Sequence, residues 1–159
     1  MNVAIDCDGN GIELKRGLIE YFATKGIPLT DLAYREKHPE GDYPDVAFHL
    51  AGKILDGAYG RGILICGTGL GMEICANKIK GIYAGSCNDV YAAERLAKSN
   101  NAQIITLGAF VTGLRSAQKI VEAFLTSDFE GGQSTEKVKR LRELESLSYQ
   151  SFRESTSAK

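Results

Sequence analysis

The 159 residues carry no surplus of either charge: 19 Lys and Arg against 20 Asp and Glu leave a formal net charge of −1. A chain so balanced has no electrostatic footing for nucleic acid or an anionic membrane. No apolar run approaches the roughly 20 residues of a spanning helix. No basic region with a cleavage site precedes the strand-like run at residues 2–5, so a cytoplasmic protein is expected. The four cysteines, Cys7, Cys66, Cys75 and Cys87, lack the spacing of a metal site or a disulfide scaffold and read as reduced thiols. No cluster of His, Cys and carboxylate suggests a metal, and no cofactor is expected. Nothing around His38 or His49 marks either as a catalyst or ligand. No internal repeat is present. What remains is an ordinary globular composition, 43% hydrophobic and 25% charged, in a length suited to one domain with a real core.

Strand-like runs alternate with helical periodicities along the chain. Strands are expected near residues 2–6, 27–32, 61–65, 81–85 and 103–107. Helices are expected near 12–25, 44–55, 72–78, 90–99, 112–126 and 135–148. Residues 33–43 read as polar and irregular, and 129–134 as a glycine-containing loop. Gly26 stops the first helix and Pro44 suits the first turn of the second. This pattern argues one α/β domain over residues 1–148, with a five-stranded parallel, doubly wound sheet, helices on both faces and a C-terminal helix. A polar tail, 149–159, is expected to fray. Ligands bind beyond the carboxyl ends of such strands. Asp6-Cys7-Asp8, Cys66-Gly67-Thr68 and Asn88-Asp89 all fall there.

The stretch that organises the chain is Cys66-Gly67-Thr68-Gly69-Leu70-Gly71. A strand leading through a glycine turn into a helix presents free backbone N–H groups at the positive end of the helix dipole. Such a turn holds a phosphate or a developing oxyanion. The spacing fits neither a dinucleotide fingerprint nor a Walker loop. Its first residue is a thiol, and a cysteine near a helix N-terminus ionises more readily than a free one, as a general base must. The plain alternatives are a tight turn and a small buried hydrophobe.

Other residues carry two readings each. Thr68 either relays a proton or caps the helix. Asp8 either orients substrate or caps the first helix. Tyr43, in Asp42-Tyr43-Pro44, either lies over a substrate or only starts a helix. Glu73, one turn into its helix, is more often a solvated charge that complements the dipole than a catalyst.

On Cys7-Asp8, Asp42-Tyr43-Pro44, residues 63–71, Ala76-Asn77-Lys78 and Phe129-Glu130-Gly131-Gly132, the chain resembles the ribose-5-phosphate isomerase B and galactose-6-phosphate isomerase family over about residues 1–145. The resemblance implies a Rossmann-like fold. It also implies metal-free aldose–ketose isomerisation of a sugar phosphate through an enediolate, in homodimers or dimers of dimers with interface active sites. Carried over, Cys66 is the base and Thr68 shuttles a proton between oxygens. The N–H groups of Gly67, Gly69 and Gly71 stabilise the enediolate, and Asp8, Tyr43 and Asn100 hold hydroxyls.

The departures are as informative. Gly9 and Ser99 stand where the family usually has histidines, and Gln133, Ser134 and Lys137 where it has Arg, His and Arg. Met72 stands where some members have a glutamate base. Lys137 is then the expected phosphate cation, with Arg140 on the same helix face. A histidine at 99 opens the sugar ring in ribose-phosphate enzymes. The run from Ser99 to Thr106 resembles the tetrulose-phosphate branch, whose D-erythrulose 4-phosphate and D-erythrose 4-phosphate cannot close a furanose. A tetrose-phosphate isomerase is therefore expected. Ribose-5-phosphate isomerase B, a non-catalytic sugar-phosphate-binding subunit that needs a partner chain, and a nucleotide-binding module are the alternatives.

Overall fold

The computed structural model describes residues 2–157, with the side chains of residues 2–149. The apolar runs form β1 (Val3–Cys7), β2 (Leu29–Asp31), β3 (Arg61–Cys66), β4 (Ala84–Ser86) and β5 (Ile104–Gly108). Between and after them lie α1 (Ile12–Thr24), α2 (Tyr34–Lys37), α3 (Tyr43–Leu55), α4 (Leu70–Ala76), α5 (Val90–Lys98), α6 (Leu114–Leu125) and α7 (Gln133–Ser157). All strand pairings are parallel, in the order β2-β1-β3-β5-β4.

β1, β3 and β5 are buried along their whole length. That explains why they read as continuous apolar runs and not as alternating ones. On one face, Leu18 and Phe22 of α1 and Ile120 and Phe124 of α6 join Ile5, Ile63, Ile65 and Leu107. On the other, Val46 and Leu50 of α3 and Met72 of α4 pack on Ala4, Leu64 and Ile104. A capping box between Asp42 and Asp45 starts α3, with Pro44 in its first turn. At the amino end of the sheet the buried Arg61 guanidinium donates to the carbonyls of Phe124 and Ser127 and lies 4.7 Å from the Phe124 ring centroid. It thereby ties the end of α6 to the start of β3.

The chain passes from β1 to β2 on one side and returns to β3 on the other. This reversal opens a crevice at the carboxyl ends of β1 and β3. Cys7 pairs with Ile65 there, and the Asp8 N–H donates to the Ile65 carbonyl at 3.1 Å.

Element edges differ from the sequence reading where side chains capture backbone groups. β4 begins at Ala84 instead of 81, because Gln103 accepts from the Tyr83 N–H and donates to the Gly81 carbonyl. α4 ends at Ala76 instead of 78; Asn77 caps it and turns its amide to both backbone groups of Ala84, each at 2.9 Å. Cys66 is the last residue of β3 and not the first of the turn, and residues 33–43 contain the short α2. α7 takes in the end of the expected loop and continues beyond residue 148 to Ser157, so the expected tail is helical there; residues 158–159 lie outside the described residues.

The Asn77 clamp is the main side-chain hold on the outermost strand, so its function here is structural. Asn77→Ala should lower unfolding stability by about 1–2 kcal/mol, the worth of one or two net hydrogen bonds, with turnover close to wild type. Urea denaturation followed beside an activity assay checks this. Unchanged stability with lost turnover would instead place Asn77 in the chemistry.

Candidate active site

Two loop backbones meet at the carboxyl ends of β3 and β5. Cys66 pairs with Gly108, its carbonyl accepts the Ala109 N–H at 2.8 Å, and the Gly67 carbonyl accepts the Phe110 N–H at 2.9 Å. A Cβ on Gly108 would lie 2.7 Å from the Thr68 carbonyl, and one on Gly69 would lie 3.0 Å from the Leu107 carbonyl carbon. Gly69 also holds φ +83, a left-handed conformation that suits glycine. Thus the chain turns back over its own strand end. The Gly69 N–H points at the Cys66 sulfur, with N···Sγ 3.1 Å.

Cys66 is buried, as are Cys7 and Cys87, and Cys75 is half-buried. Burial pushes Cys7 up to about 12 and Cys87 up to about 11, and raises Cys75 as well. Thr68 is exposed, and its hydroxyl oxygen accepts from the Leu70 N–H only at 3.4 Å; Gly69 is the N-cap of α4, without a side-chain cap. The hydroxyl therefore contributes little to the helix and stays open to the crevice. α4 has only seven residues, so the anion-holding capacity of the cradle rests on its N–H groups more than on a helix dipole.

Asp8 and Tyr43 close the crevice on two sides. Asp8 is buried and accepts the Asn10 N–H at 2.8 Å; the N-cap of α1 is Gly11, so Asp8 does not cap that helix. Tyr43 is the first residue of α3, and its ring lies against Gly71, where a Cβ would be 2.8 Å from the ring edge. Asn10 borders Gly67, at 3.7 Å from where a Cβ would stand, and the sequence reading missed it because an asparagine in a Gly-Asn-Gly turn carries no chemical signal of its own. Phe110 rests on the other side of Gly67 and is largely exposed. Met72 is fully buried in the core, and Glu73, in the first turn of α4, adds to the raised position of the Cys87 thiol. His38 stacks on Tyr34 at a ring distance of 4.5 Å, and His49 lies tilted against it at 4.9 Å. Among the described residues no group of three or more His, Cys, Asp and Glu could hold a metal ion.

Three expected residues lie elsewhere in this chain. Ser99 caps the carboxyl end of α5, Asn100 follows it, and Lys137 sits exposed in the second turn of α7. Helices here run antiparallel to the strands, so the end of α5 is at the opposite edge of the sheet from Cys66, about 20 Å away for a six-residue strand. Glu130 packs against α5 just before Ser99. Its N–H donates to the Lys98 carbonyl and its carboxylate pairs with Arg95 and Lys98. The candidate residues thus fall in two groups: Asp8, Tyr43, Cys66 and the cradle at one end of the sheet, Ser99, Asn100 and Lys137 away from them.

The structure thus sets a thiol beside a glycine turn at the carboxyl end of a doubly wound parallel sheet. The chain matches the ribose/galactose isomerase family over residues 3–141. A D-erythrulose-4-phosphate isomerase of Pectobacterium atrosepticum is 48% identical over 141 residues, 89% of this chain and 93% of that one. A ribose-5-P isomerase B of Listeria innocua is 46% identical over 145 residues, 91% and 97% of the two chains. Among solved structures, ribose-5-phosphate isomerase B of Clostridium thermocellum superposes with a TM-score of 0.83 at 35% identity, over 92% of this chain and 99% of that one. The chain belongs to the ribose/galactose isomerase family, and it is an aldose–ketose isomerase.

The thiols give a direct test of the site. With Cys7 at about 12 and Cys87 at about 11, at most about one in a thousand of either is thiolate at pH 8. Iodoacetamide at that pH should label Cys66 ahead of Cys7 and Cys87, with activity lost in step with Cys66, while those two stay unmodified in the folded protein. Peptide mapping by mass spectrometry checks this. Label on Cys7 or Cys87 ahead of Cys66 would contradict it.

Proposed function

We propose that this chain isomerises a four-carbon sugar phosphate, D-erythrose 4-phosphate to D-erythrulose 4-phosphate, by metal-independent proton transfer through a cis-enediolate. The observation that carries the chemistry is the Cys66 sulfur, 3.1 Å from the Gly69 nitrogen at the mouth of the cradle. The Cys66 thiolate takes the proton from C2 of the aldose. The electron pair moves onto the C1 carbonyl oxygen, and the N–H groups of residues 67–71 hold that developing charge. Thr68 carries the proton of the C2 hydroxyl to O1, and the Cys66 thiol returns its proton to C1 and is a thiolate again. The net change is aldose to ketose, with no atom gained or lost. Asp8 and Tyr43 hold the substrate hydroxyls.

The site is completed by a second copy of the chain. Ser99, Asn100 and Lys137 are about a strand length from Cys66 within one copy, and the crevice rim carries exposed apolar side chains, Leu70, Ile74, Phe110 and Val111, that a partner would cover. Lys137 of that copy meets the phosphate as a point charge. Arg140 contributes less, because it is held by Glu143 at 3.0 Å.

The four-carbon assignment rests on Ser99. A ribose 5-phosphate enzyme meets mostly a closed furanose, and opening it needs a group that gives and takes a proton near neutral pH, as histidine does. The Ser99 hydroxyl is a poor acid, while D-erythrose 4-phosphate has its ring-closing oxygen esterified. The similarity to a D-erythrulose-4-phosphate isomerase supports the same reading. Ribose 5-phosphate isomerisation is the second reading, supported by the similarity to a ribose-5-P isomerase B.

D-Erythrose 4-phosphate and D-ribose 5-phosphate competing in one assay should give a kcat/KM ratio of at least about tenfold for the tetrose, the proper measure of specificity. EDTA should not alter it. Ser99→His should raise activity on ribose 5-phosphate. A preference for ribose 5-phosphate would overturn the four-carbon assignment. No turnover of either sugar would favour a non-catalytic subunit.

A further inference from the structure

The position after Cys7-Asp8 is a glycine, and a guanidinium occupies the space beside it. A Cβ on Gly9 would lie 3.0 Å from Nη1 of Arg35, tighter than ordinary van der Waals contact. Arg35 comes from α2. The turn into that helix is set by Ala33 at φ +47 and by the Tyr34 N–H donating to the Asp6 carboxylate at 3.1 Å. Its Nε donates to the Gly41 carbonyl at 2.8 Å, which fixes the plane of the guanidinium and leaves both Nη groups for other partners. Arg35 and Asp8 line the same groove, of about 600 Å³, and Asp8 is continuous through Asn10 with the cradle at Gly67.

The groove holds two other cations, and both are engaged. Lys15 pairs with Asp31 at 2.8 Å and with Asp6 at 3.7 Å, and Arg16 pairs with Glu13. Arg35 is half-buried, and among the described residues no carboxylate lies within 4.0 Å of its guanidinium. A half-buried charge left without a counter-ion in a groove is poised for one supplied by a ligand. The carboxylates of Asp6 and Asp31 are held by Lys15 and by backbone N–H groups, and that of Asp8 by Asn10. None of the three pairs with Arg35.

We infer that Arg35 is a specificity-determining residue that binds the phosphate of the substrate from the same copy of the chain that supplies Cys66. This rests on the isomerase reading above and adds to it the group that holds the anionic end where Gln133 and Ser134 offer no charge. The planar guanidinium supplies two N–H donors to one phosphate, which a lysine cannot match. Gly9 is part of the device, since any side chain there would press on Nη1.

The test compares Arg35→Ala and Arg35→Lys with wild type on D-erythrose 4-phosphate, on unphosphorylated D-erythrose, and against inorganic phosphate as inhibitor. Arg35→Ala should raise KM for the phosphorylated sugar about tenfold or more, with a much smaller change in kcat. The ratio of kcat/KM for the phosphorylated over the neutral sugar should fall to match, and the inhibition constant of inorganic phosphate should rise in parallel. Arg35→Lys should recover part of each effect. A merely structural Arg35, holding the loop through Gly41, would lower the melting temperature and depress both sugars equally. That outcome, or an unchanged phosphate inhibition constant, overturns the inference. If wild type turns over no tetrose, the functional reading fails by itself, and calorimetric titration with inorganic phosphate still decides for or against Arg35: affinity lost in Arg35→Ala supports its role, and affinity retained overturns it.

Discussion

The backbone of the turn after β3 lies against the backbone of the turn after β5, and the site depends on that approach. It is closer than any side chain would allow: Gly108 faces the Thr68 carbonyl and Gly69 faces Leu107. The hydrogen bonds from Ala109 and Phe110 to the carbonyls of Cys66 and Gly67 lock the two turns together. With both turns fixed, the Gly69 N–H has one place to point, and that is the Cys66 sulfur. Preorganised donors of this kind need no rearrangement when charge develops, which is the largest single source of catalysis in many enzymes. The two-layered core of α1, α5 and α6 on one face and α3 and α4 on the other holds the strand ends that carry these turns.

The same sheet geometry separates the candidate residues into two groups within one copy. A parallel sheet collects its strand ends on one edge, and helices that return the chain end on the other. Glu130 holds the end of α5, through Arg95 and Lys98, away from Cys66 in its own chain. In the proposed dimer, the exposed apolar side chains Leu70, Ile74, Phe110 and Val111 are what a partner copy would cover, and Lys137 and Arg35 would share the phosphate.

The alternation of strands and helices, the order of the elements and the position of the cradle were legible because they depend on local pattern. β1, β3 and β5 are buried on both faces, and their apolar runs announce it. The placement of Cys66 and Asp8 at the carboxyl ends of β3 and β1 was legible because glycine spacing and strand ends mark that end of the sheet. The roles of Asn77 and Glu130 were not. Both belong to stretches that resemble catalytic motifs, yet Asn77 clamps an edge strand and Glu130 pairs with two cations on α5. Their partners are distant in sequence or set by tertiary contact. Arg35 was hidden for the same reason. It lies in a stretch that reads as polar and irregular, and what gives it a place is a glycine 26 positions earlier in the chain together with the left-handed turn at Ala33.

The central claim is that the Cys66 sulfur carries the proton between C2 and C1. It is tested most directly by the turnover of Cys66→Ala on D-erythrose 4-phosphate, measured beside its affinity for the substrate. The account predicts a loss of about 10²–10⁴-fold in kcat, the usual contribution of a general base, with substrate binding largely retained because the cradle, Asp8 and Tyr43 are intact. Near-normal turnover in Cys66→Ala would contradict it and move the search for the base to Glu73.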